Sequence, residues 1–442
     1  MPDAIFPYQA AGAAWLAERN RAGLHDEAGL GKTWTLIRAM DKLQARRGVW
    51  ITRAMLRQEF MDEHAQRALL PRRLVKGLKP QDFVAWQRDR FDVLVLSYEK
   101  AASWARQFGA LGEILDFVAI DEAHFLRNRL AARTKAICGL GADGAGGIVQ
   151  WALHAWQATG TPMDRDLRDI YAFLRFAGAC NMNFWEFSQR YYPKGEPAHQ
   201  AELRDLIATV ALRRTLKGVG IDLPPIFYTP FRIEGDSSAV EQYFSDHPGL
   251  DERILAALEA GGLKFIDAGH MMTIRRLCGE AKALPFAAYL KDALLSNEYD
   301  KVVVMGTHIG ALETIHAKLQ SAHIKGFLVN GSTGESERVL AKRAFQNDES
   351  VRYFIGNSAS TGTGLTLHAA CTIFVFESDW NPGANEQIIK RIRRIGQKRR
   401  QTARFVTLAG SFDEQINSIV IEKTRKIALV QGEELTTLPL IA

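Results

Sequence analysis

Three short runs in this chain have the residue types and spacing to handle phosphate. The first is Asp26-Glu27-Ala28-Gly29-Leu30-Gly31-Lys32-Thr33. Glycines let backbone N–H groups approach phosphate oxygens, and a helix starting after Thr33 would turn its N-terminus toward them. Lys32 would reach the β- and γ-phosphates, and the Thr33 hydroxyl would hold Mg²⁺. The strict phosphate-loop pattern opens on glycine, whereas this run opens on Asp26. Taken alone, it also reads as a Gly-rich turn with a lysine by chance.

The second run, Asp121-Glu122-Ala123-His124, directly follows the apolar stretch Phe117-Val118-Ala119-Ile120. An acidic pair ending a central strand can orient Mg²⁺ through Asp121 and activate an attacking water through Glu122. Alone, it reads equally as a helix cap with surface charges. The third is Gln387-Ile388-Ile389-Lys390-Arg391-Ile392-Arg393-Arg394. Gln387, Arg391 and Arg394 are spaced to share one helical face, with Ile388, Ile392 and Ile395 on another that can pack. Arginine, always charged and forked, suits a phosphate, and a solvated basic face is the other reading. A fourth run, Ala158-Thr159-Gly160-Thr161-Pro162, reads by itself as a turn.

These residues need strands and helices to bring them together. Gly48–Thr52, Val93–Leu96 and Phe117–Ile120 read as buried strands, and Leu36, Ile37, Met40 and Leu43 fall on one helical face. Strand and helix alternate again from Val302–Met305, through a helix with Leu312, Ile315 and Leu319, to Phe327–Val329, Tyr353–Ile355, Ile373–Phe376 and Phe405–Leu408. The stretch from about 165 to 290 reads as mostly helical, broken at Leu223-Pro224-Pro225 by an extended segment reaching about Ile233. The expected fold is α/β: two tandem lobes of parallel sheet with helices on both faces, and a helical insertion between them. The division is placed at 228/229, giving 1–228 with the insertion and 229–442 with linker helices and the second lobe.

Composition agrees with a multi-domain globular chain. Its 442 residues are 47% hydrophobic and 24% charged, with a net charge of +6. The positive charge concentrates at Lys390, Arg391, Arg393, Arg394, Lys398, Arg399, Arg400 and Arg404, with no acid between the first and last of them. The four cysteines form no CxxC pair, which argues against zinc and against a secreted disulfide scaffold and fits a reducing cytoplasm. The opening run MPDAIFPYQAAG has no basic segment followed by an apolar one, so no secretory leader is expected, and no stretch of about eighteen uncharged apolar residues suggests a membrane span.

In their order, these runs resemble the Swi/Snf family of helicase superfamily two, across almost the whole chain. Phe6-Pro7-Tyr8-Gln9, with Gly12 and Trp15-Leu16, resembles its adenine-recognising opening. Asp26 to Thr33 resembles motif I, Asp at its first position included. Ser97-Tyr98-Glu99 resembles motif Ib, Asp121 to His124 motif II (a DEAH box), and Thr159 to Pro162 motif III. Leu212-Arg213-Arg214-Thr215 is also similar to the family. Later come Asn330-Gly331-Ser332-Thr333, motif V at Gly362 to Leu367, Trp380-Asn381-Pro382, and motif VI from Gln387 to Gln397. Gly364-Leu365-Thr366, and Glu377 with Trp380 to Gly383, resemble most the annealing-helicase branch. Departures fall at Thr52-Arg53-Ala54 in motif Ia, Phe60, Thr361 and Arg393.

The resemblance implies a DNA-dependent ATPase, a RecA-like double-stranded DNA translocase using ATP and Mg²⁺. Lys32, Asp121, Glu122, Arg391 and Arg394 would be catalytic, the last two as arginine fingers. Gln9, Gly29, Leu30, Gly31, Lys32, Thr33, Gly364 and Gln387 would bind nucleotide, with Thr33 and Asp121 holding the metal. Ser97, Thr307, Ser332, Ser360 and Trp380 would touch DNA, mainly at its phosphates. Forked DNA or a single-stranded/duplex junction, a monomeric cytoplasmic protein and a protein partner supplying specificity are the accompanying expectations, as is DNA repair. A strand-separating helicase on DNA or RNA, and the motor subunit of a repair, restriction or defence complex, stay open. So do a non-hydrolysing binding module and a metabolic phosphate-loop enzyme.

Overall fold

The computed structural model describes residues 5–139, 147–163, 167–195, 197–259, 268–358, 365–379 and 382–430. It forms two compact units, Met1–Ile221 and Asp222–Ala442. Gly364, Ser360 and Trp380 lie outside the described residues.

The first unit is built on β1 (Arg21–Leu24), β2 (Gly48–Thr52), β3 (Leu74–Lys76), β4 (Val93–Ser97), β5 (Leu115–Asp121), β6 (Ala152–Ala158) and β7 (Ala211–Leu212). They pair in the order β3-β4-β2-β5-β6-β1-β7, and every pairing is parallel. Successive residues of a strand point to opposite faces. Trp50, Val93, Val95, Phe117 and Ala119 therefore join Ala13, Leu16, Leu36, Ile37 and Met40 in one core. Val49, Ile51, Leu94, Leu96, Val118 and Ile120 face the other core with Trp86, Tyr98, Trp104 and Phe108. Both faces are covered, so the strands read as continuous apolar runs rather than alternating ones.

The second unit holds β8 (Ile226–Ile233), β9 (Val302–Gly306), β10 (Lys325–Val329), β11 (Val351–Asn357), β12 (Thr372–Val375) and β13 (Gln401–Leu408). Their order is β10-β11-β9-β12-β13-β8, again with every pairing parallel. Val303, Met305, Phe354, Ile373 and Val375 face one core, and Val302, Val304, Tyr353, Ile355 and Phe374 the other. The division placed at 228/229 falls inside β8, which pairs with β13 from Ile226 to Ile233. Pro230 is accommodated there because β8 is the edge strand, where a missing N–H costs no ladder bond.

The stretch expected to be mostly helical contains Tyr171–Phe176, Phe184–Tyr191, Gln200–Val210, Ser238–Ser245, Leu250–Glu259 and Ala268–Leu295, interrupted by β7 and β8. A second difference concerns the arginines. The helix Pro382–Ile389 carries Gln387 but stops before Arg391 and Arg394, so the three do not share a helical face. Beyond it the chain tightens: the N–H groups of Arg391 and Ile392 donate to the carbonyls of Ile388 and Ile389, at 3.2 Å each. The carbonyls of this turn accept from other segments. That of Arg391 accepts from Leu367 N–H (2.9 Å), and that of Ile392 from the buried Gln397 amide (3.4 Å). Ile388 and Ile392 are nonetheless buried in the core.

Candidate active site

Because all strands of the first unit run the same way, the chain leaves every one at the same edge. The glycine-rich run follows β1, Asp121 ends β5, Thr159 follows β6 and Arg214 follows β7. This is the edge at which parallel α/β sheets bind ligands.

The helix Pro7–Ala17 sets the position of the loop. Pro7 suits the first helical turn, where an N–H is dispensable. Gln9 folds back to accept the Phe6 N–H on Oε1 (3.1 Å), and its Nε2 donates to the Leu30 carbonyl (3.0 Å). The Tyr8 hydroxyl donates to the same carbonyl at 3.2 Å, and burial raises the Tyr8 phenol to about 12. Gly29 and Gly31 have φ of +94° and +72°, and a Cβ on Gly31 would collide with the Gln9 amide. Only glycine combines that dihedral with that closeness. The helix Lys32–Lys42 then begins, anchored by Leu36, Ile37 and Met40, all fully buried. Each such side chain contributes roughly 1.5–3 kcal/mol of burial.

Lys32 Nζ donates to the carbonyls of Asp26 (2.9 Å) and Glu27 (3.2 Å). Gly160, in the run that reads as a turn, lets the chain pass close by: a Cβ there would sit 3.3 Å from Lys32 Nζ. The Thr33 hydroxyl donates to Asp121 Oδ2 at 3.3 Å, which brings the two candidate metal-holding residues together. The Asp121 carbonyl accepts from the Tyr98 hydroxyl (2.7 Å), and its Oδ1 accepts from the Glu122 N–H (2.9 Å). Burial and the neighbouring Glu122 charge push the Asp121 carboxyl up to about 7, against the pull of Lys32. Glu122 adopts φ +57°, a left-handed conformation that costs a non-glycine side chain energy. His124 Nδ1 lies 3.3 Å from Glu122 Oε2 and 3.5 Å from Thr159 Oγ1, linking the acidic pair to the turn after β6.

Arg214 completes the arrangement. Its Nε and backbone N–H each donate to Asp26 Oδ1 at 3.0 Å, and a second prong reaches Asp26 Oδ2. Its other guanidinium nitrogen donates to the Tyr8 carbonyl, so the loop, the first helix and the chain after β7 meet at one side chain. In the sequence Arg214 stands out only as part of a family-like run. The signal that could have found its role was the aspartate at the head of the loop, where the plain pattern has glycine.

Of the residues expected at DNA, Ser97 is buried and caps the helix Tyr98–Gly109, accepting the Lys100 N–H at 3.2 Å. Ser332 is exposed and donates to Asn330 Oδ1 (2.7 Å). Thr307 follows β9, and its hydroxyl accepts from Arg275 Nη2 (2.9 Å). Its N–H and that of His308 donate to the buried Glu377 carboxylate at 2.6 and 2.8 Å, and His308 Nδ1 lies 2.6 Å from the other oxygen. Burial pushes Glu377 up, but His308 and these N–H groups outweigh it and hold the carboxyl below its ordinary value.

In the second unit Gln387 is exposed on its helix, while Arg391 is buried and Arg394 partly so. Gln397 braces this turn, donating to the carbonyls of His368 (3.0 Å) and Ala370 (2.9 Å). Among the described residues no helix is long and apolar enough to cross a membrane.

The SNF2-related domain matches residues 8–261, more than half of the chain. The chain belongs to that family. The helicase conserved C-terminal domain matches residues 286–396, within the second unit. Among relatives, the ISWI chromatin-remodeling complex ATPase CHR11 of Arabidopsis thaliana is 26% identical over 96% of this chain and 42% of its own length. The DNA annealing helicase and endonuclease ZRANB3 of Homo sapiens is 24% identical over 92% of this chain and 39% of its own. A probable global transactivator of Orgyia pseudotsugata multicapsid polyhedrosis virus is 23% identical over 90% of this chain and 84% of its own. The chain thus spans less than half the length of the first two. The Sulfolobus solfataricus SWI2/SNF2 ATPase core in complex with dsDNA aligns over 99% of this chain at 18% identity, with a TM-score of 0.46.

Proposed function

We propose that this SNF2-family chain is a DNA-dependent ATPase, a motor that couples ATP hydrolysis to movement along double-stranded DNA. The observation that carries the reading is the convergence of Lys32, Thr33, Asp121 and Glu122 at one sheet edge, with Thr33 Oγ1 3.3 Å from Asp121 Oδ2. Family membership, and relatives whose names include a DNA annealing helicase, support DNA as the track.

The donor set fits Mg²⁺: a carboxylate and a hydroxyl, both hard oxygen donors. Asp121 and Thr33 would hold it. Bound there, the ion supplies charge neutralisation at the phosphates. The protein's own groups do the rest. Glycine-loop N–H groups and Lys32 bind and orient the phosphates. Glu122 accepts the proton of the attacking water, and His124 fixes the direction of its carboxylate. Gln9 and Arg214 hold the loop rigid. Arg391 and Arg394 are proposed to meet the charge that develops at the γ-phosphate, a role worth roughly 10³-fold in rate. Gly364 and Gln387 are proposed at the nucleotide, and Ser97, Thr307, Ser332, Ser360 and Trp380 at DNA. Forked or junction DNA, a partner supplying specificity and action as a cytoplasmic monomer belong to the same proposal.

Phosphate release from ATP by the wild-type chain and by Lys32→Ala tests the site. Wild-type turnover that vanishes in the variant supports it, and equal turnover in both would sink it.

A further inference from the structure

The helix Phe184–Tyr191 has one face in the core and another in water. Phe187 and Tyr191, one turn apart, are fully buried, and Phe187 packs against Tyr171 with ring centroids 5.2 Å apart. Trp185, on the outer side, is 70% exposed, the most exposed large apolar side chain among the described residues. Its backbone is well fixed: Asn183 Oδ1 accepts the N–H groups of Trp185 (2.9 Å) and Glu186 (3.0 Å). The indole is therefore presented on a rigid support. An arginine lies over an aromatic ring at each end of the helix. Arg129 sits 3.9 Å from the Phe184 ring centre and Arg168 sits 4.6 Å from that of Tyr192.

The chain that supplies Arg129 is basic. From 127 to 135 the chain carries Arg127, Arg129, Arg133 and Lys135 and no acid. Of the nearby acids, Asp169 lies 3.9 Å from Arg127 and Glu202 pairs with Arg190 at 2.7 Å, while the exposed Glu186 accepts the Asn183 N–H at 2.9 Å. A rigid exposed indole flanked by ring-stacked arginines and a basic segment has the chemistry of a single-strand platform. Unpaired bases stack on the ring while guanidinium N–H groups meet the phosphates. A duplex keeps its internal base faces stacked on one another and has open ones only at its ends. An acidic protein would satisfy the charge, but it would not need an aromatic plane.

We infer that this surface binds an unpaired nucleic-acid strand, with Trp185 stacking a base and Arg129 and Arg168 holding the backbone. The inference rests on the DNA-motor reading and deepens it by naming the surface that would hold the unpaired strand of a forked or junction substrate. The basic segment begins directly after the turn Ala123–Leu126 that follows Glu122, so the strand would lie on chain continuous with the candidate catalytic acid.

The test is fluorescence anisotropy with a labelled oligo-dT of about twenty nucleotides and a blunt duplex of about the same length, at low salt. Trp185→Ala should weaken oligo-dT binding about tenfold or more, and duplex binding less than about twofold. Trp185→Phe should keep most of the affinity, and Trp185→Leu should behave like Ala. Arg129→Gln should weaken oligo-dT binding and lower the salt slope by about one. Wild-type oligo-dT affinity in Trp185→Ala would overturn the inference. So would equal affinity in the Phe and Leu variants, which would mark an apolar contact of the kind a protein partner makes. Neither measurement needs ATP. Failure of duplex to stimulate wild-type turnover would sink the motor reading and leave the Trp185 result to be judged by itself.

Discussion

Arg214 grips Asp26 across 188 residues of sequence, donating from its backbone N–H and from its guanidinium to a carboxylate that is fully buried. The pair ties the chain leaving β7 to the head of the glycine-rich loop. Removing one partner of a buried pair strands the other charge, at a cost of about 3–5 kcal/mol. Arg214→Ala should lower the urea midpoint of the first unit accordingly. Arg214→Met with Asp26→Leu should recover most of that stability without recovering ATP affinity. A single variant as stable as wild type would show that the contact contributes little.

Glu122 and Lys32 should fail differently. Glu122→Gln keeps the side-chain shape but removes the group that accepts a proton, so turnover should fall by at least about 10²-fold while ATP still binds. Lys32→Ala should lose binding as well as turnover. Titration with a fluorescent ATP analogue separates the two; equal loss of binding in both variants would contradict the role given to Glu122.

Gly31 is the loop glycine with least freedom to change. At φ +72°, alanine carries a strain of about 1–2 kcal/mol before its Cβ meets the Gln9 amide. Gly31→Ala should weaken ATP binding about tenfold or more, since 1.4 kcal/mol is a factor of ten. Calorimetric titration reads the change. Wild-type affinity in the variant would show that the loop tolerates a side chain there.

His25, next to the loop, is buried, and burial followed by the charges of Arg213 and Lys32 lowers its pKa from 6.5 to about 3. The unfolded chain therefore takes up a proton in a pH range where the folded chain does not. Stability is full above the unfolded value and falls as pH drops through the window from 6.5 to about 3, by up to roughly 1.4 kcal/mol per pH unit. His64, lowered to about 4 by burial and Arg72, adds in the same direction. Urea melts at a series of pH values should show this slope, and His25→Phe should flatten it. A slope unchanged in the variant would assign the acid sensitivity to other groups.

Most of the longer apolar strands were readable, although the seven-residue β6, with His154 and Gln157 in it, was not. Gly48–Thr52 is β2 residue for residue, and Val302–Met305 lacks only the final Gly306 of β9. The short β1, Arg-Ala-Gly-Leu, and the two-residue β7 were not, because so few residues leave no periodicity to detect. In the candidate site, the local runs announced Lys32, Thr33, Asp121 and Glu122. What joins them is non-local: Gln9 to Leu30, Thr33 to Asp121, Arg214 to Asp26. Spacing misled at Arg391 and Arg394. The i, i+4, i+7 pattern is helical, but the N–H groups of Arg391 and Ile392 bond three residues back rather than four, and the helix ends at Ile389. Trp185 gave no sign in sequence, since its exposure depends on which face of its helix Phe187 and Tyr191 bury.

The central claim, a motor driven by ATP on duplex DNA, is tested most directly by ATP turnover of the wild-type chain. Turnover would be measured alone, with blunt duplex DNA, with single-stranded DNA and with RNA, at matched nucleotide concentration and low salt. Duplex DNA is expected to raise turnover several-fold or more, with the gain falling steeply as salt is added. Turnover that ignores duplex DNA, or that RNA stimulates while duplex DNA does not, would contradict the account.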